Sequence, residues 1–247
     1  MSDGPEEVGS VRPCSLALVM PVYNEEECIA EVVESWTSML DAEKIDYTMI
    51  VLNDGSKDRT GEALAAFESN PRVCVINKEN GGHGPTILMG YNLAVSIAEW
   101  VFQCDSDDEM KPDSFPAMWG MREPYAALFG YRAGRQQPLA RKIISATSRK
   151  AVGLLFAPGV TDVNTPYRLM RTSYLSDVLA RIPPDTFAPN ILISGYFAKL
   201  EAPIANVPVP HLGRRTGTVS IMKFKLWKVA FLALRQTLGA RKWLMRN

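Results

Sequence analysis

Residues 100–108 read Trp-Val-Phe-Gln-Cys-Asp-Ser-Asp-Asp, an apolar run that ends abruptly in three carboxylates. A continuous apolar run of this length is typical of a buried parallel β-strand. Similar runs at 16–22, 47–52 and 73–76 alternate with segments whose apolar residues recur at helical spacing. This alternation predicts an α/β fold in which a mostly parallel sheet is flanked by helices.

Each predicted strand is followed by polar residues. The clusters at 23–25 and 53–56 follow the first two strands, and the glycine-rich stretch 80–85 follows the third. In sheets of this kind, ligands bind outside the carboxyl ends of the strands. We therefore expect these three clusters and the carboxylates at 105–108 to form one ligand-binding site.

Asp105 and Asp107 stand two residues apart where the chain leaves the sheet, so both carboxylates can reach one divalent cation. Hard oxygen ligands suit Mg²⁺ or Mn²⁺, which keep open positions for phosphate oxygens. A bound cation offsets the negative charge of a diphosphate leaving group. The alternative is a helix N-cap, which is common for Asp and Ser. Their position at the end of the fourth strand favours the metal site.

Two other features of the strand ends leave alternatives open. Asp54 can accept the imide N–H of a nucleobase, or it can hold the backbone of the following turn. The turn at 80–85 can present backbone N–H groups to phosphate, but it lacks the GxGxxG and GxxxxGK patterns. His83 lies in this turn, where a hydrogen-bonded structural residue is a commoner explanation than a catalytic one.

Charge is distributed unevenly along the 247 residues. Lys+Arg and Asp+Glu number 27 each, so the net charge is zero, and apolar residues make up 47%. This composition is typical of a globular protein and argues against a nucleic-acid partner. The segment after Glu201 nevertheless carries nine basic and no acidic residues, which indicates an anionic partner for that segment.

The cysteines and the sequences near the two ends of the chain indicate in which cellular compartment the protein is expected. Four widely spaced cysteines, at 14, 28, 74 and 104, contain no CxxC pair, so neither a zinc site nor a redox motif is expected. Near the N-terminus there is no pattern of a signal peptide, and near the C-terminus no apolar run approaches the ~20 residues of a membrane span. We expect a cytoplasmic protein, either free or bound peripherally to the cytoplasmic face of a membrane.

Four motifs occur in a characteristic order: Pro21-Val-Tyr-Asn-Glu25, Asn53-Asp-Gly-Ser-Lys-Asp-Arg-Thr60, Asn80-Gly-Gly82 and Asp105-Ser-Asp107. This set resembles the family 2 inverting glycosyltransferases, whose GT-A fold contains a mostly parallel, Rossmann-like sheet. Later segments resemble the polyprenyl-phosphate branch of that family, to which dolichol-phosphate mannosyltransferase belongs. These segments are Gly130-Tyr-Arg132, Asp162-Val-Asn-Thr-Pro-Tyr-Arg168, Val207-Pro-Val-Pro-His211 and Arg214-Arg215-Thr-Gly217.

The resemblance implies that a hexose moves, with inversion, from a nucleotide-diphosphate sugar to a polyprenyl phosphate of the dolichyl type. It implies that Asp105 and Asp107 hold Mg²⁺ or Mn²⁺. Catalytic roles are implied for Asp107, Asp108, Arg132 and Arg168. Nucleotide-sugar binding is implied for Pro21, Tyr23, Asn24, Glu25, Asp54, Gly82, Asp105 and Ser106. Binding of the acceptor phosphate is implied for Arg132, Asp162, Arg168, Arg214 and Arg215.

Three positions depart from the family pattern. Asn53 replaces the first Asp of the usual Asp-Asp-Gly-Ser motif, and this loss of charge can alter contacts to the base or metal. The stretch 164–167 replaces the usual Ser-Gly of the acceptor segment, so the acceptor can differ. The stretch 188–192 lacks the acidic pair that activates hydroxyl acceptors in many relatives. Its absence favours a phosphate acceptor, although Asp108 or Asp162 could still serve as a base.

The last segment predicts a basic amphipathic helix, because apolar residues recur at spacings of three or four and several basic residues share one arc. Such a helix can lie in an anionic membrane surface; packing on the domain or at a homodimer interface is the alternative. We therefore expect a flexible arm at 1–13, a GT-A catalytic domain at 14–219 and the C-terminal helix at 220–247.

Three other functions remain open from the sequence. A soluble family 2 enzyme would use a hydroxyl-bearing glycan or small molecule as its acceptor. A nucleotidyltransferase also uses paired carboxylates, but its usual glycine-rich signature does not follow the first strand here. The third is a non-catalytic module that binds nucleotide sugars or membranes. The sequence identifies neither the nucleotide nor the sugar, and it leaves the oligomeric state open.

Overall fold

The computed structural model describes residues 13–133, 150, 158–200 and 203–211. Within these residues, seven strands form one sheet. The strands are β1 (Cys14–Val22), β2 (Tyr47–Asp54), β3 (Val73–Lys78), β4 (Ala98–Gln103), β5 (Ala127–Ala133), β6 (Arg168–Arg171) and β7 (Ile204–Pro210). The helices are α1 (Ile29–Ala42), α2 (Thr60–Ala65), α3 (His83–Ala94), α4 (Phe115–Gly120), α5 (Thr172–Leu179) and α6 (Pro189–Lys199), and a 3₁₀ turn at Pro112–Ser114 precedes α4.

The strand order across the sheet is β3-β2-β1-β4-β6-β5-β7. β1 pairs in parallel with both β2 and β4, while β6 runs antiparallel to its neighbours β4 and β5. The chain therefore builds outward from β1 in one direction and then returns to add β4 on the other side. In open α/β sheets, this reversal of strand order creates the crevice in which ligands bind.

Helices cover both faces of the centre of the sheet. Along β1, Leu16 and Leu18 enter one apolar cluster with α1 and α4, whereas Ala17 and Val19 enter the other with α3, α5 and α6. The alternation follows from the two-residue period of side chains along a strand. Because both faces are buried, the central strands have the uninterrupted apolar sequences from which they were predicted.

The structure confirms the predicted α/β fold and the four strands of the first half. α3 ends at Ala94, four residues before β4 begins at Ala98. In the second half, α5, α6 and the four-residue strand β6 were not predicted.

Several expectations fall outside the described residues. These are residues 1–12 of the arm expected at 1–13, the C-terminal helix at 220–247, and Arg214 and Arg215. The domain boundaries, which lie at or beyond the limits of the described ranges, stay predictions. No helix in the described part of the chain is both long enough and apolar enough to cross a membrane.

Candidate active site

A cavity of about 610 Å³ opens at the carboxyl ends of β1, β2 and β4. Its volume is typical of small-molecule sites. The starts of α3 and α6 complete its wall. Seven of the eight residues expected to bind the nucleotide sugar line this cavity, together with Asp107: Pro21, Tyr23, Glu25, Asp54, Gly82, Asp105 and Ser106.

Asp54 is buried at the end of β2 and holds the turn that follows β3. Its carboxylate accepts the Gly81 N–H at 2.8 Å and the Gly82 N–H at 2.9 Å, and it forms an ion pair with Lys78. Burial opposes ionisation of Asp54, but the hydrogen bonds from Gly81 and Lys78 outweigh it, so the pKa of Asp54 lies below its ordinary value. Of the two roles left open by the sequence, these contacts support the one in which Asp54 fixes the turn.

Two asparagines near these strand ends lie outside the cavity lining. Asn24, which was expected to bind the nucleotide, instead joins two loops: its N–H donates to Ser56 Oγ at 3.0 Å, and its Oδ1 accepts the Lys57 N–H at 2.8 Å. Asn53 donates from Nδ2 to Asn77 Oδ1 at 2.8 Å, across to β3. Side chains alternate between faces along β2, so the charge missing at Asn53 does not change the charge of the cavity wall.

The carboxylates at the end of β4 have an unfilled acceptor. Asp105 Oδ1 is buried and accepts no hydrogen bond from any described residue. The imidazole Nε2 of His83 lies 4.0 Å from it, which is beyond hydrogen-bond distance. Asp107 Oδ1 accepts the Glu109 N–H at 3.2 Å. Buried polar atoms are normally satisfied, so the unfilled oxygen of Asp105 fits a site that a cation or a ligand completes.

The donor set fits a cation that is shared with a ligand. Within the described residues, no three His, Cys, Asp or Glu side chains gather into a group that could hold a metal by themselves. Mg²⁺ in phosphate-handling sites needs only one or two protein carboxylates, because phosphate and water oxygens complete its coordination. Asp105 and Asp107 supply these two carboxylates at the cavity wall.

Asp108 lies in the same turn but is not part of the cavity lining. Its φ of 57° is uncommon for a residue other than glycine, and Lys111 forms an ion pair with its carboxylate. The expected catalytic role therefore finds no support in the geometry. Asp108 shapes the turn that follows the two cavity carboxylates.

Arg132, near the end of β5, approaches the carboxylates from the other side. It forms a two-pronged ion pair with Asp162, with Nε to Oδ2 at 2.7 Å and Nη2 to Oδ1 at 3.0 Å. A small cavity of about 20 Å³ is lined by Arg132, Asp105, Asp107 and His211. The structure thus brings one expected acceptor residue next to the expected metal ligands, although its guanidinium is engaged by Asp162.

Arg168 corrects the sequence-based expectation. It was expected to face the acceptor phosphate, yet it is 0% exposed. Its five N–H groups make five hydrogen bonds inside the protein, so none is left for a phosphate. The acceptors are Thr165 O at 2.9 and 2.7 Å, Asn190 O at 3.1 Å, Val163 O at 3.3 Å and Ser194 Oγ at 3.5 Å.

Five lining residues were not predicted from the sequence. Asn164 lies in the loop before β6, whereas Phe187, Ala188, Pro189 and Asn190 belong to the start of α6 and the loop before it. This loop packs directly on the first turn of α3. A Cβ added at Gly84 would lie 2.2 Å from the Thr186 carbonyl oxygen, so only glycine allows the contact. Pro189 at the first position of α6 was the one available signal, because proline is favoured there.

An open α/β sheet with a cavity at its switch point defines the class of α/β proteins that bind ligands at the carboxyl ends of the strands. Comparison with known families gives the assignment within this class. Residues 17–179 match the model of glycosyl transferase family 2, and the chain belongs to this family.

The fold is shared with solved structures of glucosyl-3-phosphoglycerate synthase from Mycobacterium tuberculosis. The complex of that enzyme with Mn²⁺, UDP-glucose and phosphoglyceric acid gives a TM-score of 0.67 at 18% identity and covers 93% of this chain and 80% of that chain. The complex with phosphoglyceric acid alone gives 0.64 at 20% identity, with the same coverage. At these identities the likeness establishes the GT-A fold.

Relatives in sequence include undecaprenyl-phosphate 4-deoxy-4-formamido-L-arabinose transferases. The enzyme of Pectobacterium carotovorum is 27% identical over 216 residues, which are 86% of this chain and 64% of the relative. The enzyme of Pseudomonas fluorescens is 25% identical over 220 residues, which are 87% of this chain and 63% of the relative. The chain thus spans slightly less than two thirds of the length of these relatives.

Proposed function

We propose that this chain transfers a hexose, with inversion, from a nucleoside-diphosphate sugar to a polyprenyl phosphate. The observation that carries the proposal is the single cavity that joins Tyr23 and Asp54 at one end with Asp105 and Asp107 at the other. Family membership supports the reaction type, and the substrate in the names of the relatives supports the acceptor.

A divalent cation, Mg²⁺ or Mn²⁺, belongs to this proposal, with Asp105 and Asp107 as its protein ligands. Support comes from the buried Asp105 Oδ1, which has no hydrogen-bond donor among the described residues. The Mn²⁺ in the complex of the mycobacterial synthase with UDP-glucose points to the same group. When bound, the cation supplies positive charge that stabilises the departing nucleoside diphosphate.

The residues of the chain position the two substrates. The turn at 80–82, fixed by Asp54, forms the wall beside the nucleotide. Arg132 is oriented near the carboxylates by Asp162 and offers a planar fork that matches phosphate oxygens. A phosphate acceptor is already anionic near pH 7, so the reaction requires alignment and charge neutralisation more than a general base.

The acceptor also motivates a role for the basic end of the chain. In this proposal, residues 14–219 form the catalytic domain behind the arm at 1–13, and the segment 220–247 contacts an anionic membrane surface. Its surplus of basic residues favours such lipids. Arg214 and Arg215 precede this segment and are proposed to meet the phosphates of the substrates.

The test is a transfer assay with the purified chain, Mn²⁺ or Mg²⁺, and labelled nucleotide sugars. Polyprenyl phosphate in detergent micelles is compared with hydroxyl-bearing glycans as the acceptor. We expect labelled lipid and one nucleoside diphosphate per turnover. Transfer to hydroxyl acceptors alone would refute the proposed acceptor, and release of pyrophosphate would indicate a nucleotidyltransferase.

Asp107→Ala tests the metal assignment. We expect turnover to fall at least about 100-fold, the magnitude typical of lost electrostatic stabilisation, with the free energy of unfolding unchanged within about 1 kcal/mol. Asp113→Ala is the control, since it removes an exposed carboxylate six residues further along the chain. Equal activity of the two variants would contradict the role of Asp107.

A further inference from the structure

Beneath the wall of the cavity lies a buried triangle of polar side chains that the proposed reaction does not yet use. Tyr91 of α3 and Gln103 of β4 are 0% exposed, and Asn190 of α6 is 4% exposed. Tyr91 Oη lies 2.5 Å from Gln103 Oε1 and 3.3 Å from Asn190 Oδ1, and Asn190 Nδ2 donates to Gln103 Oε1 at 3.0 Å. Of the three, only Asn190 also lines the cavity.

The hydroxyl of Tyr91 faces two acceptor oxygens, one on Gln103 and one on Asn190. The hydroxyl of Tyr91 carries a single proton, and burial raises the pKa of Tyr91, so the proton is retained but cannot serve two acceptors. The 2.5 Å contact with Gln103 Oε1 takes this proton, because the contact with Asn190 Oδ1 is longer at 3.3 Å. The contact of Tyr91 with Asn190 Oδ1 is therefore the weaker of the two, and the amide oxygen of Asn190 keeps acceptor capacity.

The amide nitrogens of Gln103 and Asn190 also carry protons that no described hydrogen bond uses. Gln103 Nε2 is buried and has no partner among the described residues. Asn190 Nδ2 carries two protons, of which the described contacts use one. Buried amides normally have their hydrogen bonds satisfied. Asn190 lines the cavity and keeps one N–H and one carbonyl lone pair that the described contacts do not use, a pair that matches a hydroxyl group, which both donates and accepts.

The position of Asn190 indicates which part of the nucleotide sugar it can contact. Its side chain is bonded to the last residue of β4, two residues before Asp105, and its backbone oxygen is bonded to Arg168 at the start of β6. It therefore lies on the β4–β6 side of the cavity, next to the carboxylates and away from β2 and β3. With the nucleoside near Tyr23 and the diphosphate near Asp105, this end of the cavity is left for the sugar.

We propose that Asn190 binds a hydroxyl group of the donor sugar, and that Tyr91 and Gln103 are positioning residues that fix the orientation of its amide. The inference rests on the proposed function, since it takes the cavity to hold a nucleoside-diphosphate sugar. It assigns a specificity-determining residue to the stretch 188–192, where the sequence showed only a missing acidic pair.

The experiment compares the affinity for a nucleotide sugar with the affinity for the matching nucleoside diphosphate. Calorimetry with Mn²⁺ over UDP-glucose, UDP-galactose, UDP-N-acetylglucosamine and GDP-mannose first selects the tightest donor for the unmodified chain. Asn190→Ala should then weaken that donor about 5- to 20-fold, as expected for lost hydrogen bonds. Affinity for the free diphosphate should change less than about twofold. Asn92→Ala, an exposed asparagine bonded only to Leu88 O in α3, is the control.

Two further measurements separate sugar contact from a merely structural role. Single-deoxy analogues of the selected donor should bind the unmodified chain more weakly at one ring position, and Asn190→Ala should lose that discrimination. Tyr91→Phe should also lower the affinity ratio of donor to diphosphate, by a smaller factor. Equal loss of both ligands, or no loss of either, would overturn the role of Asn190. An unmodified chain that binds none of the nucleotide sugars would instead contradict the proposed function itself.

Discussion

Arg168→Met offers a direct test of whether this arginine supports the fold or contacts the acceptor. The substitution keeps most of the apolar volume of the side chain but removes all five internal hydrogen bonds. Val163 O retains the Ser194 hydroxyl at 2.8 Å as a donor. Thr165 O and Asn190 O, however, lose the guanidinium that bridges the 163–165 loop to α6.

The expected loss of stability in Arg168→Met follows from the number of buried polar groups that lose a hydrogen-bond partner. A buried polar group left without a partner costs about 1–3 kcal/mol, and bonds to charged groups lie at the upper end. Two carbonyls losing a charged donor give about 3–5 kcal/mol, partly offset because the charge of Arg168 need no longer be buried. Burial already lowers the pKa of Arg168, which shows that its charge is held against a desolvation cost.

Urea unfolding followed by tryptophan fluorescence measures this loss, because Trp36 and Trp100 are buried in the core. Arg171→Met is the matched control on the same strand. Arg171 pairs with Glu99 and Glu123 near the surface, so we expect a loss of about 1 kcal/mol, as for exposed ion pairs. If Arg168→Met unfolds like the unmodified chain yet loses transfer, Arg168 contacts substrate and the structural interpretation is wrong.

Gly84→Ala should destabilise the chain by about 1–3 kcal/mol, since the added Cβ meets a backbone oxygen at 2.2 Å. Gly120→Ala, where nothing lies within 4 Å, should change stability by less than about 1 kcal/mol, and equal losses in urea unfolding would argue against the close contact. Because the folded pKa of Asp54 is lowered, its carboxylate stabilises the fold above about pH 4, and this contribution disappears as the pH falls through the folded pKa. Asp54→Asn should therefore flatten the acid side of the stability profile between about pH 2 and pH 7; an unchanged profile would contradict the assignment. Arg132→Ala should raise the KM for polyprenyl phosphate at least about tenfold without changing the affinity for the nucleotide, and Asp162→Asn, which weakens the ion pair that orients the guanidinium, should raise that KM by a smaller factor. If Arg132→Ala changed the KM for polyprenyl phosphate and the affinity for the nucleotide equally, or affected only the nucleotide, Arg132 would not bind the acceptor.

The first half of the fold could be predicted because its central strands, β1, β2 and β4, are largely buried on both faces. Their side chains must then be almost uniformly apolar, and the four runs from 16 to 104 stand out from the polar turns between them. The second half lacks this contrast. β6 has four residues and includes the charged Arg168 and Arg171, and α6 buries nearly its whole surface, so neither shows a clear period.

The candidate site likewise has features that the sequence predicted and features that it did not. Residues at the ends of parallel strands, such as Asp54, Asp105 and Asp107, could be grouped from the sequence because the topology brings all carboxyl ends to one edge. The direction of each side chain could not. Asn53 and Asp54 are adjacent in the chain, yet only Asp54 lines the cavity. The side-chain oxygen of Asn24 accepts the Lys57 N–H, and its backbone N–H donates to the Ser56 hydroxyl.

The sequence by itself therefore determined the α/β class, the family resemblance and the edge of the sheet at which ligands bind, since these depend on local periodicity and on motif order. Only the tertiary structure revealed the surroundings of Arg168 and Asn190. Arg168 was expected at the acceptor and is instead saturated by internal acceptors, while Asn190 reaches Tyr91 and Gln103 from 99 and 87 residues away. Hydrogen bonds between groups so distant in the chain depend on how α6 packs against the sheet, and no local pattern encodes that packing.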